Sequence, residues 1–132
     1  MRILIVAPEL PHPWMQDTIR ALHRLGHVTL PFLYTQRWVN RLQAVPVLTG
    51  AFRRRWRLER DDALVQLARR MKPQLVLVLR GELISVEALV AVKRAVDGPM
   101  VTWWVDDPDR YPGSMDRLRC YDHVFLFDRG CV

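Results

Sequence analysis

Apolar residues in this chain form two patterns, short continuous runs and longer segments with helical spacing. The short runs are rich in aliphatic, β-branched and aromatic residues, which is typical of strands buried in a parallel sheet. They predict strands at residues 3–7, 27–33, 75–79, 100–105 and 124–127. Helical spacing predicts helices at residues 14–25, at 52–71, after Ser85 and, briefly, at 114–119.

The alternation of strands and helices predicts an α/β domain built from βαβ units around a parallel sheet. We expect one Rossmann-like three-layer sandwich over residues 1–132, with five parallel strands in the order 3-2-1-4-5. The flavodoxin-like order 2-1-3-4-5 is the alternative. Pro31 weakens the second strand or places it near an edge, because proline has no N–H for the ladder.

Local signals support the first and third predicted helices. Met15, Ile19 and Leu22 form one apolar stripe on the first helix, and Gly26 is placed to end it. Ser85 is placed to cap the amino terminus of the third. These segments are therefore expected to pack on the sheet as separate short helices.

The composition narrows the class of protein. Half of the 132 residues are hydrophobic, which excludes a disordered chain. No apolar run is long enough to span a membrane, and the amino-terminal run is interpreted as a strand rather than a signal peptide. We expect a cytoplasmic protein. The two cysteines show no metal-ligand spacing, so no metal is expected.

The clearest candidate site follows the fourth predicted strand, where Asp106, Asp107 and Pro108 end an apolar run. In open α/β sheets, ligands bind at the carboxyl ends of the strands. Either acid could act as a base or bind hydroxyls, whereas the structural alternative is a turn. Adjacent side chains of an extended chain point to opposite sides, so both acids are not expected to serve one atom. With the first strand order, His12 would face these acids as a further catalytic candidate.

A second candidate follows the third predicted strand. Arg80 is a candidate for binding an anionic group, Gly81 for close backbone approach, and Glu82 for contact with the same ligand. The alternative is a loop with an Arg–Glu ion pair. Trp103 and Trp104 alternate across the sheet, so one of them is expected in the core. Trp104 is the candidate for stacking on a substrate.

The second helix carries a concentration of positive charge. Arg53, Arg57 and Arg60 lie at i, i+4 and i+7, with Trp56 between them, in a chain of net charge +6. An anionic membrane surface is the preferred partner, with Trp56 as interfacial anchor. A solvated basic face is the alternative. Nucleic-acid binding predicts a basic surface that extends beyond one helix, so that partner is not expected.

Nucleotide-binding fingerprints are missing from the first predicted strand. No G-x-G-x-x-G and no P-loop follows it, and the proline-rich loop cannot supply the backbone N–H groups that hold a pyrophosphate. This domain is therefore not expected to bind a dinucleotide or ATP there.

Two segments of the chain are specific in sequence, Trp104-Val105-Asp106-Asp107-Pro108 and Tyr121-Asp122-His123-Val124-Phe125, and shorter ones accompany them at Leu25-Gly26-His27, Lys72-Pro73-Gln74-Leu75 and Arg80-Gly81. Together these segments resemble a known family, the spore-maturation CgeB-like glycosyltransferases of the wider GT-B class. The resemblance covers most of the chain except residues 34–60.

The resemblance implies the acceptor-binding, amino-terminal half of an enzyme that transfers sugar from a nucleotide-sugar to an acceptor. The nucleotide-sugar would bind mainly to a carboxyl-terminal domain that is expected as the partner, so this domain alone would bind no cofactor and transfer no sugar. The alternatives are a stand-alone flavodoxin-like ligand-binding or regulatory module and a basic nucleic-acid-binding domain. A receiver-type module would place an acceptor aspartate after the third strand, where Arg80 stands.

Overall fold

The computed structural model describes residues 1–9, 14–34 and 49–127. The strands are β1 (Arg2–Pro8), β2 (Val28–Tyr34), β3 (Leu75–Leu79), β4 (Met100–Trp104) and β5 (His123–Leu126). The helices are α1 (Trp14–Arg24), α2 (Thr49–Met71), α3 (Val86–Ala95) and α4 (Ser114–Leu118), with a 3₁₀ turn at Pro108–Arg110. This order confirms the predicted alternation of strands and helices.

The five strands form one all-parallel sheet in the order β2-β1-β3-β4-β5. The α/β class and the parallel sheet are confirmed, whereas the order 3-2-1-4-5 is wrong and the alternative is observed. The sequence of β3 explains the difference, because a strand of only leucine and valine suits a central position buried on both faces. β2 contains Pro31 and is an edge strand of the described sheet.

The observed order changes which strand ends are neighbours. β3 lies between β1 and β4, so the end of β1 is not next to the end of β4 as the first order required. His12 itself lies outside the described residues. The chain passes from β1 to β2 on one side and then crosses from β2 to β3 on the other side of β1, which makes the β1–β3 boundary the topological switch point. Ligands of such sheets bind at this boundary, so Arg80 at the end of β3 adjoins the favoured position.

Each face of the sheet has its own hydrophobic core. On one face α2 and α3 cover side chains that include Leu4, Val6, Val76, Val78 and Met100. On the other face the apolar side of α1 covers Ile3, Ile5, Ala7 and Leu79. Each fully buried Leu or Ile side chain contributes roughly 1.5–3 kcal/mol relative to an exposed one. The two covered faces give the described residues a three-layer arrangement.

The predicted helix ends are confirmed. Gly26 follows α1 with φ of +78°, a conformation that favours glycine. The Ser85 hydroxyl accepts a hydrogen bond from the N–H of Ala88 at 3.1 Å and caps α3. Among the residues described, no helix combines the length and apolarity needed to cross a bilayer.

Candidate ligand-binding site

Three predicted site residues meet at the carboxyl edge of β3 and β4, together with a tyrosine that the sequence did not single out. Nη2 of Arg80 lies 3.1 Å from Oδ2 of Asp106 and 3.3 Å from Oε1 of Glu82. The same nitrogen donates to the Tyr111 hydroxyl at 2.8 Å, and that hydroxyl donates to Oδ2 of Asp106 at 2.9 Å. We call these four residues the Arg80 cluster.

Some hydrogen-bonding atoms of the Arg80 cluster are used by no described residue. All the polar contacts of the Arg80 side chain with described residues use Nη2, and both contacts of the Asp106 carboxylate use Oδ2. The Arg80 and Asp106 side chains remain 21% and 33% exposed. Nε and Nη1 of Arg80 are therefore free donors, and Oδ1 of Asp106 is a free acceptor, with respect to the described residues.

Side chains from three directions fix the backbone of the loop that carries Arg80 and Glu82. We call residues 81–85 the clamped loop. The Tyr34 hydroxyl accepts from the N–H of Gly81 at 3.3 Å, Oδ2 of Asp61 accepts from the N–H of Ser85 at 3.3 Å, Arg117 donates to the Ile84 carbonyl at 2.8 Å, and Arg60 donates to the Leu83 carbonyl. Such a rigid backbone suits a site that needs fixed side-chain positions.

The start of this loop has an unusual backbone conformation. Arg80 has φ of +72°, which costs a non-glycine residue about 1–2 kcal/mol. Gly81 follows with φ of +94°, and a Cβ there would lie 2.7 Å from the Tyr121 hydroxyl. The close approach predicted at Gly81 is therefore to a side chain of this domain. Backbone strain of this kind is concentrated at functional sites.

Glu82 is the most buried acid of the cluster. Its side chain is 5% exposed, and its Oε2 has no hydrogen-bond partner among the described residues. Burial raises the pKa of Glu82, and the nearby guanidinium of Arg80 opposes that rise only in part. Burial also raises the pKa of Tyr34, with a further contribution from the Glu82 charge. Glu82 therefore holds a proton more readily than an exposed glutamate does.

The two adjacent aspartates have different roles, as their positions on an extended chain predicted. Asp106 belongs to the Arg80 cluster, whereas Oδ1 of Asp107 accepts from the N–H of Asp109 at 3.0 Å. Asp107 thereby caps the 3₁₀ turn that begins at Pro108. The turn-forming alternative describes the geometry of Asp107, and only Asp106 contacts Arg80.

The two tryptophans also separate. Trp104 is 1% exposed and packs edge-to-face on Tyr111, with ring centroids 6.0 Å apart. A ligand has no exposed face of Trp104 on which to stack, which corrects the prediction that it contacts substrate directly. Its place in the structure is to support the Tyr111 ring. Trp103 is the exposed member of the pair, at 40%, and it packs against Trp14.

The predicted basic surface of α2 does not form one exposed face. Arg60 is buried, pairs with Asp61 at 2.6 Å and lies between the rings of Trp56 and Tyr34, 4.9 and 5.8 Å from their centroids. This corrects the prediction that Arg60 contacts an anionic surface. Arg57 is exposed and lines an open groove of about 570 Å³ between α2 and α3. The side chain of Arg53 lies outside the described residues.

Tyr111 and the Arg60–Asp61 pair are the functional-site contributors that the sequence patterns missed. Tyr111 follows the Asp-Asp-Pro segment and precedes Pro112, so an aromatic residue held in a proline-flanked turn was an available signal. The Arg60–Asp61 pair depends on tertiary contacts that no local pattern contains. In the described part of the chain, no group of three or more His, Cys, Asp or Glu residues could hold a metal ion.

Comparison with known proteins adds little about function. No family model matches the chain, and no curated protein matches it significantly. A solved structure of a Vibrio parahaemolyticus protein of unknown function is similar to this chain, with a TM-score of 0.42 and 12% identity. The similarity covers 97% of this chain and 93% of that one. Functional inference therefore depends on the chemistry of the Arg80 cluster.

Proposed function

We propose that this chain is the acceptor-binding domain of a sugar transferase of the CgeB-like GT-B class and that it binds a hydroxyl-bearing ligand at the Arg80 cluster. The observation that supports the proposal is the hydrogen-bonded set of Arg80, Asp106 and Tyr111 at the carboxyl edge of the sheet. It combines free donors with a free acceptor. A sugar hydroxyl needs both, because it donates one hydrogen bond and accepts others.

The roles within the cluster follow from its geometry. Oδ1 of Asp106 would accept the hydroxyl proton of the ligand, and Nε or Nη1 of Arg80 would donate to a neighbouring hydroxyl oxygen. In the complete transferase, Asp106 is then the candidate base for an acceptor hydroxyl. His12 follows the first strand, where several enzymes of the GT-B class carry a catalytic histidine, so the resemblance keeps it as a second catalytic candidate. Glu82 helps to fix Arg80 through its contact with Nη2 at 3.3 Å, and Gly81 allows the tight packing of that loop.

The rest of the enzyme is part of the same proposal. A carboxyl-terminal domain would bind the nucleotide-sugar, and this domain would contribute the acceptor without binding a cofactor of its own. Sugar transfer by the 132-residue chain alone is not expected. A cytoplasmic location, with peripheral contact to an anionic membrane through Arg57, belongs to the same hypothesis.

The strand order favours one alternative, a stand-alone flavodoxin-like module that binds a small molecule without transferring it. The order β2-β1-β3-β4-β5 is the flavodoxin-like one. A phosphoryl-acceptor role does not fit this alternative, since Arg80 occupies the position after β3 where an acceptor aspartate would stand. Addition of a donor-binding domain and a nucleotide-sugar distinguishes the two functions, because only the transferase would then form a product.

Binding can be tested on the chain itself by nuclear magnetic resonance. We expect neutral mono- and disaccharides to shift the backbone amide signals of residues 80–85 and 105–111. The Asp106→Asn variant should bind at least tenfold more weakly, because a hydrogen bond to a charged group contributes about 1.5–3 kcal/mol. The Asp107→Asn variant is the matched control and should bind normally. Saccharide titrations that leave the signals of the Arg80 cluster unmoved would refute the proposal.

A further inference from the structure

The charge at the carboxyl edge is opposite to the charge of the whole protein. The chain carries a net charge of +6. At the carboxyl ends of β1, β3 and β4, however, acids outnumber arginines among the described residues. The acids are Glu9, Glu82, Asp106, Asp107 and Asp109, and the arginines are Arg80 and Arg110. Arg60, which is paired with Asp61, and Arg117 also contact the loop after β3, so that six acids stand against four arginines. A ligand that binds here meets a local excess of negative charge.

The hydrogen-bond accounting of the Arg80 cluster shows the same excess. Nη2 carries two hydrogens and faces three oxygens, on Glu82, Asp106 and Tyr111. Oε2 of Glu82 is buried and has no partner among the described residues, and the residue as a whole is only 9% exposed. The oxygens around Nη2 therefore outnumber its hydrogens, and Oδ1 of Asp106 and Oε2 of Glu82 have no donor among the described residues. A ligand that brings donors would satisfy these two carboxylates more fully.

We propose that the ligand of the Arg80 cluster carries a protonated amine beside its hydroxyls, as an amino sugar with a free amino group does. This inference rests on the proposed function and specifies its substrate class. An ammonium group offers three donors, no acceptor and a positive charge. It would pair with the free Oδ1 of Asp106, while a neighbouring hydroxyl accepts from the free edge of Arg80.

A phosphate or carboxylate in the same place is disfavoured by the same geometry. It could accept from Nε and Nη1 of Arg80, but it would bring a third negative charge to a site where two acids already share that one guanidinium. The cluster therefore selects against phosphorylated sugars, despite the basic character of the whole chain.

The test compares the binding of ligands that differ at one chemical group. It uses the unmodified chain, so the result cannot be affected by a variant that fails to fold. Glucose and glucosamine differ by one hydroxyl exchanged for an ammonium group, N-acetylglucosamine removes the charge, and glucosamine 6-phosphate adds a phosphate. In titrations monitored at the amides of residues 80–85 and 105–111, glucosamine should bind about fivefold more tightly than glucose, which corresponds to about 1 kcal/mol. N-acetylglucosamine should lose the preference, and the phosphate should weaken binding.

Two variants identify the residue responsible for the preference for glucosamine over glucose. Asp106→Asn should bind glucose and glucosamine equally, whereas Asp107→Asn should retain the preference. Equal binding of the two sugars by the unmodified chain would overturn this inference while leaving the proposed function intact, and so would tighter binding of the phosphate. A chain whose cluster responds to none of the four sugars would overturn both.

Discussion

Replacement of Gly81 by alanine tests whether the clamped loop is packed as tightly as its geometry requires. The residue has φ of +94°, and an added Cβ would lie 2.7 Å from the Tyr121 hydroxyl and 2.9 Å from Cγ1 of Val78. Neither neighbour is the end of a long flexible side chain. Tyr121 is 7% exposed and Val78 is 1% exposed, so both are held by their surroundings.

The cost of this substitution has two parts. The left-handed backbone conformation costs an alanine about 1–2 kcal/mol. Overpacking against two buried side chains costs about 1–3 kcal/mol more. We therefore expect Gly81→Ala to lower the free energy of unfolding by about 2–5 kcal/mol and the Tm by roughly 10 °C.

A substitution at a second glycine, Gly26, separates the backbone cost from the overpacking cost. Gly26 has φ of +78°, but nothing lies within 4 Å of the position that an added Cβ would occupy. Gly26→Ala should therefore cost only the backbone part, about 1–2 kcal/mol. Urea unfolding of both variants, followed by circular dichroism, measures the difference directly. Equal losses for the two variants would refute the close packing of Gly81.

Tyr121→Phe identifies the atom responsible for the overpacking. The Tyr121 hydroxyl is buried and has no partner among the described residues, so its removal alone should be neutral or slightly stabilising. Added to Gly81→Ala, it removes the 2.7 Å contact and should restore about 1 kcal/mol, while the contact with Val78 remains. A double variant no more stable than Gly81→Ala would show that the hydroxyl is not the obstacle.

Three further predictions concern charge. Burial raises the folded-state pKa of Glu82. The contribution of Glu82 to the free energy of unfolding is therefore fully present below the ordinary glutamate pKa and is lost as pH rises through the raised pKa. The free energy of unfolding of Glu82→Gln, measured relative to the unmodified chain by urea titration, should therefore increase as pH rises from about 4 to about 8. A difference between the two proteins that stays constant over this range would contradict the raised pKa. Arg60→Met should lower the free energy of unfolding by about 3–5 kcal/mol in the same assay, because it leaves Asp61 buried without its cation. A smaller loss would contradict a buried ion pair. Arg54 is exposed on α2, as Arg57 is. If α2 contacts an anionic membrane, a double variant with Arg54→Gln and Arg57→Gln should sediment less with anionic vesicles, while sedimentation with neutral vesicles should not change. Unchanged sedimentation with anionic vesicles would refute the membrane hypothesis.

Hydrophobic spacing was sufficient to locate the strands and helices, but it could not decide the strand order. Right-handed crossovers permit both orders. The two strand orders are distinguished by the amino-acid composition of individual strands. The wholly apolar β3 belongs at the centre of the sheet, and Pro31 favours an edge for β2.

The site was predictable only where a topological rule applies. Because carboxyl ends of parallel strands share one edge, Arg80 and Asp106 could be placed on the same edge of the sheet. The predicted order 3-2-1-4-5 separated their strands, and only the observed order, with β3 beside β4, brings the two side chains into contact. Alternation along β4 separates Trp103 from Trp104, but it does not say which one faces a covered side. Helical spacing likewise placed Arg57 and Arg60 on one stripe. The burial of Arg60 depends on its contact with the Leu83 carbonyl, 23 residues further along the chain.

Buried polar atoms that lack hydrogen-bond partners in the described part of the chain are concentrated in the clamped loop and in the side chains beside it, as expected of a binding site. Buried side-chain atoms without a partner among the described residues are Arg60 Nη1, Glu82 Oε2, Trp104 Nε1 and Tyr121 OH. Glu82 belongs to the loop, Arg60 and Tyr121 contact it, and Trp104 supports Tyr111 beside it. An unpaired buried polar group costs about 1–3 kcal/mol, which is a large share of a typical net stability of about 5–15 kcal/mol. Such costs, added to the strained backbone of Arg80, are expected where a binding site overrides the local optimum for stability.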